Sequence, residues 1–403
     1  MSGRIRHPAP GTRHPRGGGQ ARFPAVFMRG GTSRALFFRR EDLPADRALW
    51  DRIFQAALGG PDPYARQLDG LGGGYSSTSK VAVIGPPSRP DVDVDYTFAQ
   101  VDVTTQRVDY RGNCGNISSG VGPYAIDEGL VDVGPPAAAE REVRFLNTNT
   151  DKVIVARVPL AEGGAAVEGD FELPGVPGRG ARITLDFLDP GGAVTGRLLP
   201  TGSPRDEIEG VAASLVDATN PAVFVRAADL GLSGAETPEA LDADAALLAR
   251  LERIRAAAAA AMGMAPDPAT ATERSPAVPK IALVAPGRHG ASDVTVRLVS
   301  MGRFHRAVAL TGAMCLAVAA HLPGTLVAEA AGRLAPGADV RIGHPAGVLA
   351  IAAKVEDGQA RSVRVYRTAR RLMEGWVRVP DRVLSDPSPF ADRLATRRLV
   401  VAD

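Results

Sequence analysis

Cys114 stands in "RGNCGN", between glycines and asparagines and directly ahead of a segment with helical character. That position suits acid/base work. The backbone NH groups that open a helix lack partners and together carry about half an elementary positive charge. They hold a carboxylate, and they favour the thiolate form of a cysteine. Gly112 and Gly115, with the short Asn113 and Asn116, let backbone and ligand approach closely. A cysteine is more often a small buried apolar residue. That reading suits Cys315, which lies between Met314 and Leu316 inside an apolar helix. The polar turn formers around Cys114 point instead to a proton-abstracting base beside a bound carboxylate.

Other residues have the types for this chemistry. Arg29, Thr32 and Ser33 in "MRGGTSR", and Ser79 in "GGGYSSTSK", are candidate ligands for an anionic substrate and equally candidate turn caps. Thr311 and Gly312 open a second charge-free helix and are placed to hold another carboxylate. Lys280 is a further candidate, though a lone lysine is usually surface charge. His305 in "GRFHR" precedes that second helix, where it faces the site or serves as a structural hydrogen-bonder. No "HExxH" or paired histidine spacing occurs among the six histidines, so no metal ligand set is expected. "GLGGGY" ends in Tyr75 and is not a dinucleotide fingerprint, Lys80 follows no P-loop glycine, and no GxSxG elbow occurs.

The elements that position these residues form an approximate repeat of about 200 residues. "STSKVAVIG" around Lys80 matches "AVPKIALVA" around Lys280. "VDVTTQRVDY" followed by the cysteine motif matches "VTVRLVSMGRFHR" followed by "AVALTGAMCLAVAAHLPGTLV". Ile117–Ile126 and Thr311–Ala320 carry no charge, which predicts two buried helices. Strands are predicted at 80–85, 91–104, 153–160, 280–285 and 293–300, with turns at 161–169 and 189–196. One helix is predicted over 237–264, capped by Thr237 and opened by Pro238. The expected fold is therefore α+β, with two similar lobes, each a mixed sheet wrapped around a central helix. Both helix starts would face a cleft between lobes. The expected organisation is a disordered leader over 1–22, one lobe over 23–200 and another over 201–403.

Composition narrows the function. Lys plus Arg at 47 against Asp plus Glu at 45 leaves a net charge of +2, which argues against nucleic acid or an anionic membrane as partner. Two cysteines make no disulfide framework, so a reducing, cytoplasmic compartment is expected. No apolar run is long enough to span a bilayer. The leader has five arginines and no acid, and lacks the apolar core of a secretory signal.

The motif "CGN" before a small-residue helix resembles that of diaminopimelate epimerase-like enzymes, which are two-lobed and need no cofactor. Those enzymes place a second cysteine before the other helix, where this chain has Ala309 in "ALTGA". The chain is more similar to the PrpF family of that fold, which includes 2-methylaconitate cis-trans isomerase, methylitaconate isomerase and 4-oxalomesaconate tautomerase. The resemblance runs through "FMRGGTSRALFF", "DGLGGGYSSTSKVAVI", "YRGNCGNISSGVGPYAI", "SMGRFHRA", "GHPAG" and "RTARRLMEGWVRVP". It implies that Lys80 and Cys114 are the acid/base pair, with either one as the base. Where the family usually reads "RGGTSKG" and "GHPSG", this chain has Arg34, Ala35 and Ala346, departures that bear on which substrate it takes.

The resemblance implies an isomerase without cofactor that moves a proton in a small unsaturated di- or tricarboxylate, as in propionate catabolism. The alternatives are keto–enol tautomerisation of an oxalomesaconate-type substrate, or a non-catalytic accessory role beside an aconitase-like dehydratase. A second copy of the chain and such a dehydratase are the expected protein partners. A dienolate intermediate needs one base, one acid and fixed positive charge. A multiply anionic substrate favours a charged Lys80, which makes Cys114 the expected base.

Overall fold

The computed structural model describes residues 19–134, 138–288, 290–335, 338–386, 388–391 and 393. Most of the expected leader thus lies outside the described residues. Its last four residues do not: strand β1 (Gln20–Gly30) starts within it, and Ala21 is buried. Gln20–Arg22 pair with Pro380–Arg378 at the far end of the sequence, a partner that local composition does not reveal.

Strand β1 pairs antiparallel with β2 (Ser33–Arg39). After helix α1 (Ala48–Leu58), β3 (Lys80–Gly85) runs parallel to β2. Strand β4 (Val94–Val101) is antiparallel to β3, and the short β5 (Val108–Asp109) folds back on it. Helix α2 (Gly115–Asp127) follows, then β6 (Glu140–Asn147) parallel to β4 and β7 (Lys152–Ala161) antiparallel to β6. Past the short strands β8 (Gly164–Ala165), β9 (Phe171–Glu172) and β10 (Arg179–Gly180), β11 (Ile183–Leu188) pairs with β7.

The same sequence of pairings then recurs. Strand β12 (Asp206–Ile208) leads into β13 (Val211–Ala218) and the antiparallel β14 (Asn220–Arg226). Helices α3 (Pro238–Asp242), α4 (Ala245–Ala261) and α5 (Pro268–Arg274) intervene before β15 (Lys280–Pro286), parallel to β14. Strand β16 (Val294–Ser300) is antiparallel to β15, and the short β17 (Arg303–Phe304) folds back on it. Helices α6 (Leu310–Ala320) and α7 (Leu326–Ala331) precede β18 (Val340–His344), parallel to β16, and β19 (Gly347–Glu356), antiparallel to β18. Every sense of pairing from β1 to β7 is repeated from β13 to β19, so the repeat read from the residues is one of topology.

The end of the chain returns to its beginning. Strand β20 (Gln359–Arg367) bridges β19 and β11, and β21 (Ala369–Pro380) lies along β1. A division at residue 200 therefore leaves two strands in the second half of the sequence that pair with strands of the first half.

Helices α2 and α6 occupy the interior. Gly115–Ile126 and Leu310–Ala320 are buried throughout, as their lack of charge requires. The expected helix over 237–264 is instead two helices. Thr237 caps the first from in front of Pro238, but Asp244 then accepts the Leu247 N–H (2.9 Å) and starts a second. The capping bond of an aspartate competes with helix continuation, and here it wins. Among the described residues, no helix is long and apolar enough to cross a membrane.

Candidate active site

The turn from β5 into α2 is shaped by side chains from both repeats. Asp109 Oδ1 accepts the Arg111 N–H (2.7 Å) and tightens the turn. Gly112 has φ +136°, and a Cβ there would lie 2.8 Å from Asn220 Oδ1, so glycine is required on both counts. Asn220, the first residue of β14, clasps the next residue: it accepts the Asn113 N–H (2.8 Å) and donates to the Asn113 carbonyl (2.8 Å). Its Nδ2 also lies 3.3 Å from Thr311 Oγ1, and Thr219 Oγ1 donates to the Thr311 carbonyl (3.0 Å). One strand turn thus ties the starts of α2 and α6 together. The two helices meet at Gly115, where a Cβ would come within 2.9 Å of Met314 Cε.

Cys114 and Ala309 occupy equivalent positions, each the extended N-cap residue of its helix, and neither helix has a side-chain cap. Helices α3, α4, α5 and α7 are capped by Thr237, Asp244, Asp267 and Thr325. The uncapped starts of α2 and α6 line one cavity through Cys114, Gly115 and Asn116 on one side and Ala309, Leu310 and Thr311 on the other. Two helix starts without side-chain caps in one cavity have the chemistry to hold carboxylates.

Two lysines add charge. Lys80 heads β3 and is 7% exposed. Its Nζ donates to Gln100 Oε1, directly opposite in the β3–β4 register, and lies 5.2 Å from the Phe98 ring centroid. The Gln100 amide is oriented by its Nε2, which donates to the Ser79 carbonyl (2.9 Å). Burial pushes the Lys80 pKa down, and the Cys114 thiolate pushes back up. The partner of Lys80 is thus a neutral amide rather than a carboxylate. Lys280 heads β15, donates to the Ala277 carbonyl (3.0 Å) and is pushed down to about 8, by burial first and then by Lys80. Both lysines line the cavity, together with the carboxylate of Asp109.

Of the residues expected at the site, Ser33, Lys80, Asn113, Cys114, Gly115, Asn116, Lys280 and Thr311 line the cavity. Four lie outside its lining. Arg29 spends its guanidinium on the carbonyls of Gly31 (3.0 Å) and Thr368 (2.9 Å). Thr32 accepts from Asn116 Nδ2 (3.1 Å). Ser79 accepts from Gln67 Nε2 (2.9 Å) in the interior. Gly312 faces Leu298, whose Cδ1 would lie 2.3 Å from an added Cβ. Each has the type of a ligand, but its polar group, or its lack of a side chain, is used to hold a loop or a helix. Arg34 lies over Phe27, its Cζ 5.4 Å from the ring centroid, and is not among the residues that line the cavity.

Gln100 and Asn220 line the cavity and were not singled out in the sequence. Gln100 was legible in principle as the cross-strand neighbour of Lys80. Asn220 was legible only by aligning "DATNP" with "RGGTS" in the repeat. Among the described residues, no group of three or more His, Cys, Asp or Glu gathers as a metal site.

Cys315 is buried, its Sγ 3.4 Å from the Val216 carbonyl, and burial pushes its pKa up. Cys315→Ser is expected to cost about 1 kcal/mol, because the hydroxyl loses packing yet finds the same carbonyl as acceptor. Chemical denaturation should show that cost with activity retained. A loss of activity at unchanged stability would contradict a packing role.

The model of the PrpF family, described as "PrpF protein", matches residues 20–380. The 3-methylitaconate isomerase of Eubacterium barkeri is 44% identical over 89% of this chain and 98% of its own length. The 4-oxalomesaconate tautomerase of Pseudomonas putida is 42% identical (89% and 96%), and the 2-methyl-aconitate isomerase of Cupriavidus necator 39% (90% and 98%). Among solved structures, a methylitaconate-delta-isomerase superposes with TM-score 0.73 at 43% identity, covering 91% of this chain and 97% of that one. A hydroxyproline epimerase from Agrobacterium vitis shares the fold at TM-score 0.55 and 12% identity, covering 91% and 93%.

Proposed function

The chain belongs to the PrpF family, and from that premise we propose that it is a cofactor-independent isomerase moving a proton within a small unsaturated di- or tricarboxylate. The observation that carries the reading is the pair of uncapped helix starts in one cavity with Cys114 and two lysines. The relatives' names describe isomerisation or tautomerisation of such carboxylates. In the same reading the two strand repeats are two lobes, the cavity is the cleft between them, and β20 and β21 return to the first lobe.

The chemistry follows from the groups. Substrate carboxylates sit on the starts of α2 and α6. The Cys114 thiolate takes a proton from the carbon next to a carboxylate or carbonyl, and the C–H electron pair spreads over the allylic system as a dienolate. Positive charge on Lys80 and Lys280 and the helix N–H groups stabilise that anion. A Lys80 proton is then delivered to the far carbon, or to oxygen in a keto–enol version. Solvent returns the pair to its starting protonation.

The test is turnover by the purified, desalted and chelator-treated protein in D2O, followed by proton NMR. The panel is 3-methylitaconate, 2-methylaconitate and 4-oxalomesaconate. Conversion of at least one, with deuterium entering the carbon that gains the proton, is the expected result. No conversion and no exchange with any of them would overturn the reading.

A further inference from the structure

His305 lines the same cavity as Lys80, Cys114 and Thr311, and also an adjoining pocket lined by Tyr75 and Arg303. It is held there at two points. The His305 N–H donates to the Leu298 carbonyl (2.8 Å), and the ring Nδ1 accepts the Ala307 N–H (3.0 Å). A lone pair used at Nδ1 leaves the proton of a neutral imidazole on Nε2. The ring is kept neutral by where it sits. Burial pushes its pKa down to about 3, helped by Lys80, Lys280 and then His344. No residue among those described accepts from the Nε2–H. The geometry thus favours Nε2 as the donor of a neutral ring, in the cavity that contains the proposed acid/base pair.

We propose that His305 is a catalytic residue, donating a hydrogen bond from Nε2–H to the substrate oxygen on which negative charge accumulates. This rests on the isomerase reading. A neutral imidazole keeps its proton throughout the reaction, so it stabilises the dienolate without becoming a second acid. Its bond strengthens as the oxygen gains charge, which lowers the barrier rather than only tightening binding. The lysines supply charge from any direction, whereas the fixed ring supplies a direction. The turn bond at Nδ1 is the device that makes Nε2 the donor, so one side chain does both jobs.

Two variants separate the jobs. His305→Asn places an oxygen near the Nδ1 position and keeps the bond from the Ala307 N–H, but has no donor at Nε2. His305→Gln places an amide donor near Nε2 and abandons the turn bond. For catalysis by Nε2–H, His305→Asn should fold like the wild type and lose about 10²–10³-fold in kcat, with KM changed far less. His305→Gln should retain kcat within about tenfold. A purely structural role predicts the reverse order, and wild-type kcat in His305→Asn would overturn the proposal. An independent measurement needs neither variant nor turnover: ¹⁵N NMR of the unliganded protein near neutral pH should show His305 protonated at Nε2 alone. A proton on Nδ1 would also overturn it. Absence of turnover in the wild type itself would fail the isomerase reading instead, with the NMR result still deciding the tautomer on which this inference depends.

Discussion

Cys114→Ser is expected to lose at least about 10³-fold in kcat, within the range general acid–base catalysis supplies, while the protein becomes no less stable. The loss arises because a serine hydroxyl does not ionise at neutral pH, so the proton-abstracting group disappears. The stability expectation comes from the position of the residue. Cys114 is an N-cap with no side-chain bond to its helix. Serine is among the best N-cap residues, worth about 1 kcal/mol over a residue that cannot cap. The variant is therefore expected to be equal to or more stable than the wild type in a denaturant titration, with its activity gone. Stability and function move in opposite directions because an uncapped helix start costs stability and leaves room for a carboxylate. Iodoacetamide should label half-buried Cys114, with substrate protecting it, and leave buried Cys315 untouched. Full activity in Cys114→Ser would sink the mechanism.

Lys80→Met should cost about 10²–10⁴-fold in kcat/KM, since both proton delivery and charge at the dienolate are lost. Lys80→Arg should not restore it: the larger planar guanidinium cannot use the narrow site against Gln100 and Phe98, and it does not release a proton. The fold should tolerate the methionine, because a desolvated charge is removed from an interior position and only the Gln100 acceptor is left behind. Exchange measurements assign the roles. If Cys114 is the base, Lys80→Met still exchanges the substrate proton with D2O faster than it forms product, and Cys114→Ser is slowed in both. Exchange that survives in Cys114→Ser and vanishes in Lys80→Met would make Lys80 the base. Wild-type kcat/KM in Lys80→Met would remove Lys80 from the chemistry altogether.

Local pattern was enough for much of the fold. The strand predicted at 80–85 is β3 to the residue, and the one at 293–300 is β16 within one residue. The two charge-free runs are α2 and α6, because a helix with no polar face has nowhere to lie except the interior. The helix over 237–264 failed at one point, where Asp244 formed a local bond that hydrophobic spacing does not register.

At the site, the sequence by itself determined which residues have the types for chemistry of this kind. Cys114 is marked by its polar turn and the charge-free helix behind it, and Lys80 and Lys280 by the repeat that places each at the head of a strand. Those signals are local, and the forces behind them act within a few residues. Tertiary structure alone decided the sorting of equally plausible polar residues. Ser33 lines the cavity while Arg29, Thr32 and Ser79 hold loops, since each polar group goes to whichever partner the assembled backbone brings within reach. It also decided that Asn220 reaches Asn113 and Thr311, that Gln100 faces Lys80, and that β21 closes on β1. Most of these partners lie tens to hundreds of residues apart. Their meeting depends on strand register and on the burial that drives collapse, and neither is encoded in any single stretch of chain.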